Sequence, residues 1–211
     1  LLSNIQNIIP PAFASHRIVI ITDNLVKKIC GLALQKKLQE AGFKVEILSF
    51  PPGEKNKNQN TVTTLQHAML KKKYGRDTLV LALGGGVVGD VAGYVAATYL
   101  RGVPYVQIPT TFLAMVDSSI GGKVGIDTPY GKNTLGAFYQ PAMVAMDIAI
   151  LDQLPRVQFL NGLFEAIKGF FTSDKAGLEL CKKLDLKNLG QNPEIVEEII
   201  TRSVRFKAKI V

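Results

Sequence analysis

The chain has no tryptophan, two cysteines and two histidines in 211 residues. Cys30 and Cys181 stand alone at no metal or redox spacing, which excludes a disulfide framework and fits reduced thiols in a cytoplasmic protein. His16 and His67 are not paired at ligand spacing, so a nitrogen-rich metal site would need residues beyond Val211. No apolar run is long enough to cross a bilayer, and a membrane partner is not expected. Residues 1–14 end in Ala12-Phe13-Ala14, yet they lack a basic start and are interrupted by Ser3, Asn4, Gln6 and Asn7, so a secretory leader is not expected either. Internal repeats and low-complexity tracts are absent. The net charge is +8 and aromatic residues make up 8%, but basic and aromatic residues are not interleaved as a nucleic-acid platform requires. Dispersed cations of this kind suit an anionic metabolite. The single tight run, Lys71-Lys72-Lys73, reads as a solvated helix end whose charges complement the helix dipole.

What the chain does have is glycine, and three of its 19 stand together. The apolar run Leu79 to Leu83 enters Gly84-Gly85-Gly86, and a small-residue segment with helical character follows, with Gly89 and Gly93 placed to let it pack close to a sheet. Strand, tight turn and helix start in that order make either a phosphate-binding arrangement or a tight βα turn without ligand; glycines suit the first because they reach backbone angles closed to other residues and leave the helix N-terminal amides uncovered. Around this turn, strand and helix alternate: Arg17 to Thr22, a helix capped at Asp23-Asn24 with Leu25, Ile29, Leu32, Leu34 and Leu38 on its apolar stripe, a strand from Lys44 to Phe50, a break at Pro51-Pro52-Gly53, and a helix bearing Val62, Leu65, Met69 and Leu70. Tyr105 to Ile108 and Met143 to Met146 are further strands. The pattern predicts an α/β unit with a parallel sheet covered on both faces. Beyond Asp147 helical spacing takes over: Val157 to Phe171, Lys175 to Leu184, and a third helix opened by Asn192-Pro193. The division expected is 1–147 for the α/β unit and 148–211 for the start of a helical one. Helical rhythm persists from Phe206 to Val211, and the chain starts without methionine, so it reads as part of a longer polypeptide.

Three groups carry chemistry. The long connection Pro109 to Pro141 has little periodicity and is dense in small hydroxyls, glycines and two lysines that each follow glycine: Thr110-Thr111, Asp117-Ser118-Ser119, Gly122-Lys123, and Gly131-Lys132-Asn133. Connections of this length carry function, and ammonium groups among glycines reach a phosphate or carboxylate without steric competition. Glu165 and Lys168 lie one helical turn apart beside Phe164 and Ile167, as an i,i+3 ion pair or as a carboxylate available to a metal. Arg101, just before the fourth strand, faces an anion or solvent.

Taken together these residues resemble the 3-dehydroquinate synthase family. The likeness runs over nearly the whole chain: Asp23-Asn24, Gly53-Glu54 with Lys57, GGGVVGDVAGYVA from Gly84, RGVPYVQIPTT from Arg101, VDSSIGGKVGID from Val116, GKNTLGAFYQP from Gly131, GLFEAIK from Gly162, and Lys207-Ala208. The resemblance implies a Rossmann-like, mostly parallel sheet followed by an all-helical C-terminal domain present only in part. It further implies conversion of the phosphorylated small-molecule substrate 3-deoxy-D-arabino-heptulosonate 7-phosphate into 3-dehydroquinate and phosphate, in the shikimate pathway, with bound NAD and zinc or cobalt, by a homodimer. By the same resemblance NAD is held by Asp23, Glu54, Lys57, Gly85, Gly86, Val87, Asp90, Thr110 and Thr111, with Asp117, Ser118, Lys123 and Lys132 bordering it. Asp117, Lys123, Lys132, Asn133, Lys168 and Lys207 face the reacting substrate, and Arg101 reaches a phosphate across the dimer interface. Glu165 is the first of three metal ligands, the others falling after Val211. Two departures stand out: Gln153-Leu154-Pro155-Arg156-Val157-Gln158 replaces the family's Thr-Leu-Pro-x-Arg-Glu, and Phe164 replaces an alanine. These bear on the adenine-side contacts and the metal geometry. A related cyclase making 2-deoxy-scyllo-inosose, a metal-dependent NAD alcohol dehydrogenase and a non-catalytic NAD-binding module are the alternatives.

Overall fold

The computed structural model describes residues 8–185 and 192–211, so half of the stretch read for a leader, residues 1–7, lies outside it. In chain order the elements are β1 (Arg17–Asp23), α1 (Asn24–Val26), a π turn (Lys27–Gly31), α2 (Leu32–Glu40), β2 (Val45–Phe50), α3 (Gln59–Lys71), β3 (Thr78–Gly84), α4 (Gly86–Thr98), β4 (Tyr105–Pro109), a second π turn (Ala114–Ser118), β5 (Lys123–Thr128), β6 (Gly131–Phe138), β7 (Met143–Val144), α5 (Arg156–Ser173), α6 (Lys175–Lys182) and α7 (Pro193–Lys207). The main sheet runs β2-β1-β3-β4-β7, and each neighbouring pair is parallel. Its central strands β1, β3 and β4 read as continuous, largely apolar runs because both faces are covered. Val19, Ile21, Val80 and Ala82 join α3 and α4 in one apolar cluster. Ile18, Ile20, Leu79 and Leu81 join Leu34 and Leu38 of α2 in the other.

Strand order reverses at β1 and β3, since β1 connects outward to β2 while β3 connects to β4 on the opposite side. The carboxyl ends Asp23, Gly84 and Pro109 therefore border a crevice at a topological switch point, where open α/β sheets bind ligands. A third cluster joins Phe112, Met115 and Val116 to Phe159, Leu163 and Phe170 of α5 and to Val196, Ile199 and Ile200 of α7. Helices α5 to α7 are thus fixed to the segment that leaves β4 towards the crevice. No helix among the described residues is long and apolar enough to cross a membrane.

Several local expectations change. The stretch Pro109 to Pro141 is not an irregular connection: it contains the second π turn and the antiparallel hairpin β5–β6. Neither strand alternates buried with exposed residues, and β6 is exposed along most of its length, so no period of two marks them in the sequence. The fifth strand pairs only at Met143 and Val144. The stripe from Leu25 to Leu38 is not buried throughout, because the π turn at Lys27–Gly31 rotates it. Leu34 and Leu38 are buried, whereas Leu25, Ile29 and Leu32 are 56%, 44% and 51% exposed. Asn192 occupies the N-cap of α7 but makes no side-chain capping bond, and α7 ends at Lys207 with a turn over 208–210 rather than continuing to Val211.

Candidate active site

The turn after β3 places α4 with its N-terminus on the crevice. Gly85 is its N-cap, and no side chain caps it, so the first-turn amides stay available to an anion. The reason for glycine here differs from the sequence expectation. None of Gly84, Gly85 and Gly86 has a positive φ; the constraint is space. A Cβ on Gly84 would lie 2.6 Å from Val88, one on Gly85 3.0 Å from Thr111 Cγ2, and one on Gly86 3.0 Å from Ser118 Oγ. Gly89 and Gly93 do allow close packing, since their added carbons would meet Gln107 at 3.0 Å and Val124 at 2.3 Å.

The crevice holds a lobe of about 620 Å³ lined by Asp23, Glu54, Lys57, Gly85, Gly86, Val87, Asp90, Thr110, Thr111, Asp117 and Ser118. Every residue expected at the cofactor except Lys123 and Lys132 is therefore in one place. Two further lobes adjoin it. One, of about 520 Å³, is lined by Asp90, Asp117, Ser118, Lys123, Asn133 and Lys207 among others. The other, of about 420 Å³, is lined by Asp117, Lys123, Glu165, Lys168 and Lys207. Asp117 borders all three and so marks their junction.

The polar contacts explain how the walls are held. Lys57 is 5% exposed, and its ammonium donates to Asp90 Oδ2 and to Asn133 Oδ1. Burial pushes the Asp90 carboxyl above its ordinary range, against the pull of that ammonium. Lys207 donates to the Asp117 carbonyl at 2.8 Å and to its Oδ1, tying α7 to the second π turn. Lys168 lies 2.8 Å from Glu165 Oε1, and the carboxylate raises its pKa. Lys132 is 3.3 Å from Glu54 Oε1; it stands at the rim of the large lobe rather than lining one. Asp23 Oδ1 caps α1 by accepting from the amides of Leu25 and Val26. Thr110 Oγ1 is buried and has no protein partner, an orphaned hydroxyl in the wall of the lobe.

Arg101 is the one expected residue that the fold carries away. It follows α4 and precedes β4 at the amino end of the sheet, exposed, with φ 71, and lines none of the three lobes. Sequence reasoning also missed residues that line the large lobe: Leu25, Ile29, Cys30, Leu113 and Ile150. The apolar spacing of Leu25 and Ile29 was visible but was assigned to a core. Burial, with Asp23 beside it, pushes the Cys30 thiol up to about 11, so it is protonated at neutral pH and no nucleophile. Of the departures, Gln153 and Gln158 do line the large lobe, while Val157 and Phe164 are 69% and 67% exposed.

The donor sets differ in what they fit. Open amides at α4, the unpartnered Thr110 hydroxyl and an apolar wall of Leu25 and Ile29 fit a dinucleotide. A metal is another matter: Glu165 is ion-paired with Lys168, and no three His, Cys, Asp or Glu side chains gather at a metal site among the described residues. These residues do not make a metal site by themselves.

Comparison with known proteins agrees with this geometry. The family model described as 3-dehydroquinate synthase N-terminal matches residues 47–161. The 3-dehydroquinate synthase of Pelobacter propionicus is 41% identical over 197 residues, which cover 93% of this chain and 55% of that protein. The crystal structure of a 2-deoxy-scyllo-inosose synthase complexed with carbaglucose-6-phosphate, NAD+ and Co2+ superposes with a TM-score of 0.87 at 28% identity, over 99% of this chain and 56% of the other. A 2-epi-5-epi-valiolone synthase from Streptomyces hygroscopicus subsp. jinggangensis, with NAD+ and Zn2+ bound, gives 0.88 and 29% over 99% and 58%. The chain spans little more than half the length of these relatives.

Proposed function

Since the chain belongs to the 3-dehydroquinate synthase family, we propose that it carries the NAD-binding part of an enzyme that converts 3-deoxy-D-arabino-heptulosonate 7-phosphate to 3-dehydroquinate and phosphate. The single observation that carries this reading is the continuity of the lobes. A dinucleotide-shaped crevice over uncapped α4 amides opens, at Asp117, into space lined by Lys123, Lys168 and Lys207. A nicotinamide and a phosphorylated, carboxylated substrate need that adjacency.

NAD, when bound, supplies a temporary hydride acceptor, so that an alcohol is oxidised and later restored. The chain's own residues do the rest. The α4 amides and the hydroxyls of Thr110 and Thr111 hold the pyrophosphate and ribose region, and Leu25 and Ile29 cover a flat ring away from water. Gln153 and Gln158 extend the same wall with uncharged amides. Lys57 and Asp90 form the partition between cofactor and substrate lobes. Lys123, Lys168 and Lys207 neutralise the substrate's phosphate and carboxylate, and a phosphate so held leaves as a stabilised anion. Lys132 and Glu54 close the rim, and Asn133 presents its amide to the substrate lobe. Glu165 supplies at most one ligand of a divalent ion; no step is drawn through a metal. The α/β unit reaches to Asp147, the helical one begins at residue 148, and the protein works in the cytoplasm as a homodimer, in which Arg101 serves the partner's site.

The test is phosphate release from the heptulosonate phosphate by the full-length protein. Release that requires NAD and a divalent metal, with no net NADH, is expected. Turnover of glucose 6-phosphate instead would favour the 2-deoxy-scyllo-inosose reading, and net NADH would favour an alcohol dehydrogenase.

A further inference from the structure

We infer that Asp127, which lines none of the three lobes, is a positioning residue: it fastens the β5–β6 hairpin to the loop carrying Lys57 and thereby aims Asn133 at the substrate lobe. The β5–β6 ladder shifts register between Ile126 and Thr128, and irregularities of this kind re-aim side chains beside active sites. Here the residue between them, Asp127, directs its backbone amide out of the hairpin and its carboxylate back across it. Its amide donates to the Lys57 carbonyl at 2.9 Å, and it forms an isolated parallel bridge with Asn58. Its Oδ1 accepts the amide of Asn133 at 2.8 Å. Asn133 has φ 54, a left-handed conformation that asparagine adopts more readily than most non-glycine residues, and the Asp127 carboxylate bonds its amide in that conformation. From that conformation its side-chain oxygen accepts from Lys57, whose ammonium also holds Asp90. A single residue therefore links the cofactor loop to a residue of the substrate lobe, its amide bonding the Lys57 carbonyl and its carboxylate the Asn133 amide.

The inference rests on the proposed reaction for its kinetic readout and on geometry for its structural one. In the full-length protein Asp127→Asn keeps the acceptor oxygen and loses the charge, whereas Asp127→Glu keeps the charge and displaces the oxygen by a methylene; Asp127→Ala removes both. We expect Ala and Glu to raise the substrate KM about tenfold, the scale of one hydrogen bond, with NAD affinity changed less than about threefold. Hydrogen exchange at the Asn133 amide should quicken by a similar factor in both, while Asn stays near the unmodified protein in both readouts. Equal effects of Asn and Glu, or an Asn133 amide as protected in Glu as in the unmodified chain, would overturn the assignment. The comparison of Asn with Glu stands even if Ala does not fold. Exchange decides the matter if the unmodified protein turns over nothing, an outcome that counts against the proposed reaction alone.

Discussion

A buried lysine is expensive unless its charge is answered, and Lys57 is answered by Asp90 and by an amide oxygen. Lys57→Met removes the ammonium and leaves the Asp90 carboxylate in a half-dry wall. We expect a loss of about 3 kcal/mol at neutral pH, measured by urea denaturation. The sign of its pH dependence follows from Asp90. Burial already holds that carboxyl above its ordinary range, and loss of the lysine raises it further, so the deficit is full above the raised value and shrinks as acidification protonates the group. A deficit that grows on acidification would contradict this. Gly86 separates binding from folding. The Cβ of Gly86→Ala would meet only the Ser118 hydroxyl, which can rotate, so little stability is lost. That carbon stands at the α4 amides, however, and NAD affinity measured by calorimetry should fall about tenfold.

Among the helices, α5 is seated directly against backbone. A Cβ on Gly162 would lie 2.4 Å from Leu113 N and 2.7 Å from Phe112 C, and backbone cannot swing aside as a side chain can. Gly162→Ala should cost about 2 to 3 kcal/mol in thermal denaturation and, because α5 also carries Glu165 and Lys168, should lower turnover as well. The start of α6 depends on Asp174, which caps Gly177 N at 3.1 Å and pairs with Arg202 of α7 at 2.9 Å. The Arg202 bond, then the Gly177 amide, holds its carboxyl below the usual range. Its contribution is therefore complete above the ordinary carboxylate value and fades as pH falls through the lowered one. In Asp174→Asn that part of the acid-side slope of stability should flatten; an unchanged slope would show the pair to be idle. The stripe of α1 and α2 was legible as apolar, but its purpose was not, because periodicity counts residues and cannot register the extra one that a π turn inserts.

At the scale of the whole molecule the sheet separates Arg101 from every lobe of its own chain. If the partner's site uses it, Arg101→Ala and Lys123→Ala subunits, each nearly inactive alone, should regain about a quarter of full activity when unfolded and refolded together. Random pairing makes about half the dimers mixed, each with one intact site of two. No recovery on mixing would remove Arg101 from the reaction.

Glycine after an apolar run, and strands alternating with helices, were enough to announce a parallel α/β sheet, because these features depend on local backbone preference and on chain order; most of the residues around its crevice were marked by the family resemblance instead. The amino-acid order did not show that Gly84 and Gly85 are constrained by the nearness of Val88 and Thr111 rather than by unusual backbone angles. Nor did it show that Leu25 and Ile29 face a ligand space, or that Asp127 reaches across its hairpin to hold Asn133. Gly85 against Thr111, and Leu25 beside Thr110, join segments far apart in the chain. Gly84 against Val88 and Asp127 against Asn133 are instead neighbours in sequence whose contact depends on how the turn and the hairpin close, and only the finished fold decides either kind.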